Sequence, residues 1–204
     1  MSWRSSSSST ATKTSWRRPQ RSGPLAADPA TSGPLAEVDE LVPAQRTLLV
    51  RCRPSATLSA VATAIAALRP AEPDVTVGDD VAIDVVYDGD DLDVVAALTG
   101  RSRDDVVATH TGTVWTVAFC GFAPGFGYLR APGDPLEVAR RPSPRTRVPT
   151  GSVALAGRYS GVYPTTGPGG WQLIGRTDTT LWDLARTPHA ALVPGTRVHF
   201  RDVR

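Results

Sequence analysis

Residues 119–177, FCGFAPGFGYLRAPGDPLEVARRPSPRTRVPTGSVALAGRYSGVYPTTGPGGWQLIGRT, decide how this chain folds. Eleven of its 18 glycines and eight of its 18 prolines lie in this stretch, yet aromatic residues are interleaved with them. Flexible linkers of such composition are poor in aromatic residues. The pattern therefore predicts ordered turns covered by rings, with short strands such as residues 152–156 and 171–174 between the turns.

The same stretch is locally basic. It contains seven arginines against only two acidic residues, Asp134 and Glu137, although the net charge of the whole chain is +2. Guanidinium groups and glycine-exposed backbone N–H groups both suit carboxylate or phosphate oxygens. The alternative is that many of these arginines only solvate a surface.

Four motifs in this region resemble one protein family. GFAPGFGYL, PRTRVPTGSVALAG, GVYP and PGGWQLIGRT occur in the order found in the KipI / allophanate hydrolase subunit 1 family, and weaker similarity runs from about residue 35 to residue 204. Members of that family include the B subunit of 5-oxoprolinase. The resemblance implies a carboxyltransferase-type domain with the fold of a cyclophilin-like β-barrel.

The composition excludes several classes of function. The only lysine is Lys13, so a Walker P-loop, a Schiff base and a biotinylated lysine are absent from the rest of the chain. A basic excess confined to one stretch argues against nucleic acid as a partner. No apolar run has transmembrane length and residues 1–30 lack the apolar segment of a secretory signal. We therefore expect no membrane partner and a cytoplasmic protein.

Three regions follow one another along the chain. Residues 1–34 are rich in serine and proline and are predicted to be a disordered leader. Residues 35–75 predict a partial α/β N-terminal domain, with a strand at 46–53 and a helix at 58–68. The family usually carries a further strand and helix here, so this domain is expected to be truncated.

Residues 76–204 are expected to form a mainly β, cyclophilin-like carboxyltransferase-type domain. A strand is predicted at 81–88, two helices at 92–98 and 103–110, and short strands at 113–119, 152–156, 161–163, 171–175 and 197–200. Asp90 or Asp91 is predicted to cap the first helix, and Ser102 with Asp105 resembles a capping box. Capping and solvation explain the aspartates between 79 and 105.

Candidate catalytic groups are few. His110 is the best titrating candidate, although a structural role as a helix C-cap also explains it. Arg145, framed by prolines, and Arg147 are predicted to clamp a carboxylate or phosphate, with N–H groups around Gly125 and Gly169-Gly170 stabilising negative charge. The spacing of histidines and cysteines predicts no metal site. The resemblance adds further substrate- or phosphate-binding candidates: Tyr128, Gly151, Ser152, Tyr163 and Trp171.

The resemblance implies a function that needs partners. It suggests one component of an ATP-dependent 5-oxoprolinase, which converts 5-oxo-L-proline, ATP and water to L-glutamate, ADP and phosphate. The implied partners are the C-type subunit of 5-oxoprolinase, which is allophanate hydrolase subunit 2-like, and an A-type subunit, with ATP and Mg bound in the assembled complex. The alternatives are a urea carboxylase/allophanate hydrolase-type carboxyltransferase subunit and a KipI-like inhibitor of a histidine kinase.

Overall fold

The computed structural model describes residues 14–15, 33–68 and 80–203. They belong to two compact units, one within residues 1–74 and one within residues 75–204. Most of the predicted leader lies outside the described residues, but the prediction of disorder is wrong for Thr14–Ser15, which forms a strand. None of the helices in the described ranges is both long and apolar enough to cross a membrane.

The first unit is a small antiparallel sheet with one helix. Strand β1 (Thr14–Ser15) pairs with β3 (Leu48–Cys52), whose other edge pairs with β2 (Val38–Pro43). A short 3-10 helix (Pro34–Glu37) precedes β2, and helix α1 spans Leu58–Ala67. The predicted strand and helix are confirmed, whereas β2 was not predicted. The buried hydrophobic side chains among its described residues are Val50 and Val61, so its core is small.

The strands of the second unit are β4 (Asp80–Val85), β5 (Val114–Cys120), β6 (Gly127–Arg130), β7 (Arg145–Val148), β8 (Ser152–Ala156), β9 (Tyr159–Val162), β10 (Gly167–Gly169), β11 (Gln172–Arg176) and β12 (Arg197–Asp202). A seven-stranded sheet has the order β11-β8-β9-β6-β5-β12-β4, in which β12 and β4 are parallel and all other neighbours are antiparallel. β7 and β10 form a separate two-stranded sheet.

The two outermost strands of this sheet meet at a seam. Val86, just after β4, exchanges two backbone hydrogen bonds of 2.9 Å with Arg176 of β11. Gly175 lies at the same seam, where an added Cβ would come within 2.6 Å of the Val86 carbonyl oxygen. The sheet thus nearly closes, which confirms the predicted mainly β fold with a barrel.

The barrel wall has two apolar faces. All five residues of β8 are buried. Val153 and Leu155 face the inner core, whereas Ala154 and Ala156 belong to a second cluster on the outside of the barrel. The inner core is centred on the following residues: Ile83, Val85, Trp115, Leu129, Val162, Ile174 and Phe200. A register shift in β5 between Val117 and Phe119 places Val117 in the inner core and Phe119 against the outer rings.

Two helices pack against the inner core. Helix α2 (Leu92–Thr99) ends at Gly100, whose φ of 65° is the left-handed conformation that glycine adopts readily. Helix α3 (Arg103–Gly112) begins with the predicted capping box of Ser102 and Asp105. The buried residues of both helices join the inner core: Leu92, Val95, Val106 and Val107.

Candidate ligand-binding face

The predicted ring-covered turns form one cluster on the outside of the barrel, which we call the outer aromatic face. Its members are Phe119, Phe126, Tyr128, Tyr159, Tyr163 and Trp171. Phe119 stacks on Tyr128 at a centroid distance of 4.3 Å, and Trp171 meets Tyr128 edge-on at 5.6 Å. Tyr128 and Tyr159 are half-buried, so the face presents tyrosines to solvent.

Two glycines allow the rings to lie this close to the backbone. A Cβ on Gly161 would meet both Trp171 and Phe126, at 3.0 and 3.1 Å. A Cβ on Gly169 would overlap the Tyr163 hydroxyl oxygen. The glycines of the motif therefore make room for rings.

Arg140 is held beside Trp171 by its two chain neighbours. The Ala139 carbonyl accepts a 3.1 Å hydrogen bond from Nε2 of Gln172, and the Arg141 N–H donates to the Gly170 carbonyl at 2.8 Å. These bonds fix the backbone on either side of Arg140 to the residues on either side of Trp171. The Arg140 side chain is exposed, and within residues 80–203 it has no ion pair.

The positive charge of Arg140 affects the pKa values of Tyr128 and Tyr163. Burial raises the pKa of the Tyr128 hydroxyl, and the positive charge of Arg140 opposes the rise. Burial likewise raises the pKa of Tyr163, against which a hydrogen bond from the Trp171 backbone and the charge of Arg140 act in the other direction. Both hydroxyls thus remain protonated donors near neutral pH, close to a guanidinium group.

A buried ionic cluster centres on Asp91. Its carboxylate accepts hydrogen bonds from Nη1 of Arg141 at 2.5 Å, from Arg145 and from the Leu173 backbone N–H at 2.7 Å. Desolvation alone would raise the pKa of Asp91, but the Arg145 and Leu173 hydrogen bonds and the two positive charges hold it below its usual range. Asp91 occupies the N-cap position of α2 without making a side-chain cap bond, so the prediction that capping or solvation explains it is wrong.

Arg145 does not present a free fork to solvent. Its two terminal nitrogens bind the Asp91 carboxylate at 2.8 and 2.9 Å, and only 19% of its side chain is exposed. In this structure the carboxylate that Arg145 binds belongs to Asp91 of the protein, and its role as a ligand clamp stays a prediction. Arg147 is exposed and has no ion pair among the residues that the structure describes.

His110 lies in the inner core instead of at the surface. Its side chain is fully buried and stacks on Phe200 at a centroid distance of 4.2 Å. Nδ1 pairs with the Tyr87 hydroxyl at 2.7 Å and Nε2 with the Ser160 hydroxyl at 2.8 Å. Burial lowers the pKa of His110 to about 3, so the imidazole is neutral at physiological pH. We do not retain it as a catalytic base, because no solvent or ligand reaches it in this conformation.

Several other predicted residues shape turns. Gly151 has a φ of 79°, donates its N–H to the Tyr163 carbonyl at 2.8 Å and accepts from the Thr177 N–H at 2.9 Å. The Ser152 hydroxyl donates to the Pro149 carbonyl at 2.8 Å. Gly125, with a φ of 83°, faces the backbone of Leu181 and the Cβ of Trp182. The Gly151 backbone groups and the Ser152 hydroxyl are thus hydrogen-bonded within the protein.

The structure thus divides the predicted site. Tyr128, Tyr163 and Trp171 lie together, with Gly169 under Tyr163 and Gly170 beside Arg141, while Arg145 and His110 each belong to a separate buried network. Arg140 and Asp91 were not among the predicted site residues. In the ranges 14–15, 33–68 and 80–203, no three His, Cys, Asp or Glu side chains converge as metal ligands would.

Comparison with known proteins identifies relatives of this architecture. The chain is 48% identical over 121 residues to the 5-oxoprolinase B subunit of Escherichia coli O157:H7, covering 58% of this chain and 56% of that one. It is 41% identical over 123 residues to the Bacillus subtilis protein of the same name, covering 59% and 51%. The chain thus spans about half the length of these curated relatives. Over 111 residues it is 31% identical to urea amidolyase of Saccharomyces cerevisiae, covering 50% of this chain and 6% of that one.

Solved structures share the fold. The crystal structure of TTHA0988 aligns with a TM-score of 0.73 at 31% identity, covering 96% of this chain and 40% of that chain. The urea amidolyase of K. lactis aligns with a TM-score of 0.68 at 18% identity, covering 85% and 12%, and shows a similarity of fold. The family described as carboxyltransferase domain, subdomain C and D, matches residues 14–192. This chain therefore belongs to that carboxyltransferase-domain family.

Proposed function

We propose that this chain is one component of a 5-oxoprolinase complex that hydrolyses 5-oxo-L-proline with ATP. The observation that carries the proposal is the 48% identity to a chain named as the B subunit of 5-oxoprolinase. The name of that relative denotes one component of an assembly, and we infer that this chain also acts with partners. The proposed partners are an A-type subunit and a C-type subunit of such an enzyme.

The described residues support a binding role more than a catalytic one. The outer aromatic face offers tyrosine hydroxyls and an exposed arginine, whereas the imidazole of His110 is buried. Within residues 14–15, 33–68 and 80–203, no three His, Cys, Asp or Glu side chains converge as metal ligands. We propose that ATP is handled in the assembled complex.

A urea carboxylase-type carboxyltransferase subunit is the second candidate. The observation that favours it is the 31% identity to urea amidolyase, although the match covers only 6% of that protein. The two candidates differ in the reaction that they catalyse. A 5-oxoprolinase complex hydrolyses 5-oxoproline, whereas a urea carboxylase-type complex would transfer a carboxyl group. Within the described residues, nothing specifically favours a KipI-like kinase inhibitor.

An ATPase assay distinguishes the candidates. We expect the purified chain alone to show no ATP hydrolysis above background, and the chain assembled with its A-type and C-type partners to hydrolyse ATP faster when 5-oxo-L-proline is added. Stimulation by urea instead of 5-oxoproline would support the second candidate. Rapid 5-oxoproline-stimulated hydrolysis by the lone chain would contradict the requirement for partners.

A further inference from the structure

Two exposed arginines of the stretch 119–177, Arg140 and Arg147, have no ion pair among the described residues, and Arg140 is the one whose charge acts on Tyr128 and Tyr163. Arg141 and Arg145 both bind Asp91, Arg158 lies 3.6 Å from both Asp134 and Glu137, and Arg176 binds Asp88 at 2.8 Å. Arg140 has no such carboxylate among the described residues, although it lies in the same arginine-rich stretch. A guanidinium that the protein does not neutralise can bind an external anion.

The position of Arg140 is fixed by the backbone, which favours binding. The hydrogen bonds at Ala139 and Arg141 tie its neighbours to Gln172 and Gly170. Because Arg141 is also anchored through its side chain to Asp91, the segment on that side of Arg140 cannot shift without breaking a buried ion pair. A preorganised backbone lowers the entropy lost when the exposed side chain binds a ligand.

The surroundings of Arg140 are aromatic and carry hydroxyl groups. Tyr128 and Tyr163 lie within the electrostatic reach of its charge. Tyr128 also contacts Trp171 and is half-buried, so part of its side chain is accessible at the edge of the cluster. An anchor for negative charge beside a flat apolar surface and a hydroxyl donor suits a small ring that bears a carboxylate.

We propose that Arg140 and Tyr128 bind a small cyclic carboxylic acid on the outer aromatic face, with its carboxylate on Arg140. The inference rests on the proposed function and names its ligand as 5-oxo-L-proline, a five-membered lactam with one carboxylate. Arg140 binds the carboxylate, the ring lies against the aromatic side chains, and the Tyr128 hydroxyl donates to the lactam oxygen. Arg145, which sequence reasoning selected, holds the surrounding structure through Asp91.

Calorimetric titration of the full chain and of the assembled complex tests this site. We expect Arg140→Gln to weaken 5-oxo-L-proline binding by about tenfold to a hundredfold, since a charge-assisted bidentate contact is lost. Arg140→Lys keeps the positive charge but lacks the planar guanidinium fork, so its affinity for 5-oxo-L-proline should lie between those of the wild type and Arg140→Gln. 5-Oxo-L-prolinamide, which lacks the negative charge, should bind weakly and equally to the wild type and to Arg140→Gln.

The matched control is Arg201→Gln, which removes the same charge from an exposed arginine that pairs with Asp84 on β4. It should leave 5-oxo-L-proline binding unchanged, and both variants should melt close to the wild-type temperature. Tyr128→Phe provides a second variant and should weaken binding of 5-oxoproline and of its amide alike.

Three outcomes would overturn the site. They are an unchanged affinity and KM for 5-oxo-L-proline in Arg140→Gln, a wild-type chain and complex that fail to bind 5-oxo-L-proline, and a site that prefers inorganic phosphate to the carboxylate. A different result would contradict the proposed function. In that case the complex would bind 5-oxoproline through Arg140 but would show no 5-oxoproline-stimulated ATP hydrolysis. Unchanged Arg140→Gln kinetics in an active complex would instead leave the function in place and remove the site.

Discussion

The guanidinium of Arg145 binds both oxygens of the Asp91 carboxylate, at 2.8 and 2.9 Å. The two residues are 54 positions apart, and Asp91 also accepts the backbone N–H of Leu173 in β11. One carboxylate therefore joins the beginning of α2, the β7 strand and the β11 strand. We expect this cluster to matter more for stability than for direct contact with substrate.

Asp91→Asn should be strongly destabilising. The substitution leaves Arg141 and Arg145 without a buried counter-charge, and breaking a buried ion pair on one side costs about 3–5 kcal/mol. Urea unfolding followed by circular dichroism measures the change. Asp90→Asn is the matched control, because Asp90 is 80% exposed and lies 3.7 Å from Arg145, so its loss should change stability by less than about 0.5 kcal/mol. Equal losses in the two variants would contradict the central role of Asp91.

Arg145→Lys should lower the melting temperature. Lysine keeps the charge but cannot contact both carboxylate oxygens, so we expect a loss of about 1.5–3 kcal/mol. Arg147→Lys, at an exposed position on the same strand, should melt like the wild type. Differential scanning calorimetry makes the comparison. An unaltered melt with lost 5-oxoproline turnover would show instead that Arg145 leaves Asp91 to bind substrate.

His110 should make the protein less stable in acid. The folded protein keeps His110 neutral down to a pKa of about 3, whereas the unfolded chain protonates it below about 6.5. The contribution of neutral His110 to the free energy of unfolding is complete above about pH 6.5. It is lost progressively as the pH falls towards 3, at about 1.4 kcal/mol per pH unit. Between pH 7 and pH 5 we expect a loss of about 2 kcal/mol.

The variant His110→Gln isolates this effect, because glutamine does not titrate. Its free energy of unfolding should vary less between pH 7 and pH 5 than that of the wild type, even if it is lower at both. A slope in His110→Gln as steep as in the wild type would refute the assignment.

Gly151→Ala should disrupt the turn before β8. A Cβ there would overlap the Thr177 carbonyl oxygen, and the φ of 79° is unfavourable for alanine. We expect a loss of several kcal/mol, above the roughly 1–2 kcal/mol set by the backbone conformation alone. Gly157→Ala is the control, since its φ is 55° and an added Cβ meets nothing within 4 Å. Similar melting temperatures for the two variants would rule out the predicted clash.

Local pattern predicted much of the fold. Alternating side chains marked β4, helical spacing marked α1, and Ser102 with Asp105 formed the predicted capping box. The seam between Val86 and Arg176 could not be predicted in this way, because it joins backbone atoms that are distant in the sequence and depends on no side-chain periodicity.

The site was harder to predict for the same reason. Asp91 satisfies the local pattern of a helix cap, and only the folded chain shows that two distant arginines bind it instead. Arg140 and Arg141 are adjacent and chemically identical, yet one is anchored to Asp91 and the other is exposed. The interleaving of aromatic residues and glycines in the sequence predicted that the rings cover ordered turns. In the structure Tyr128, Tyr163 and Trp171 do lie in one cluster.

The place of β12 in the sheet has a consequence for folding. Arg197 of β12 pairs with Asp80 of β4 across 117 positions of sequence, and the same strand also pairs with β5. The sheet cannot grow hairpin by hairpin from one end, because β4 and β5 become linked only when β12 enters between them. Such non-local topology is associated with folding over milliseconds to seconds. During that interval the open edges of β4 and β5 can pair with other chains, so the yield of refolded protein should fall as its concentration rises.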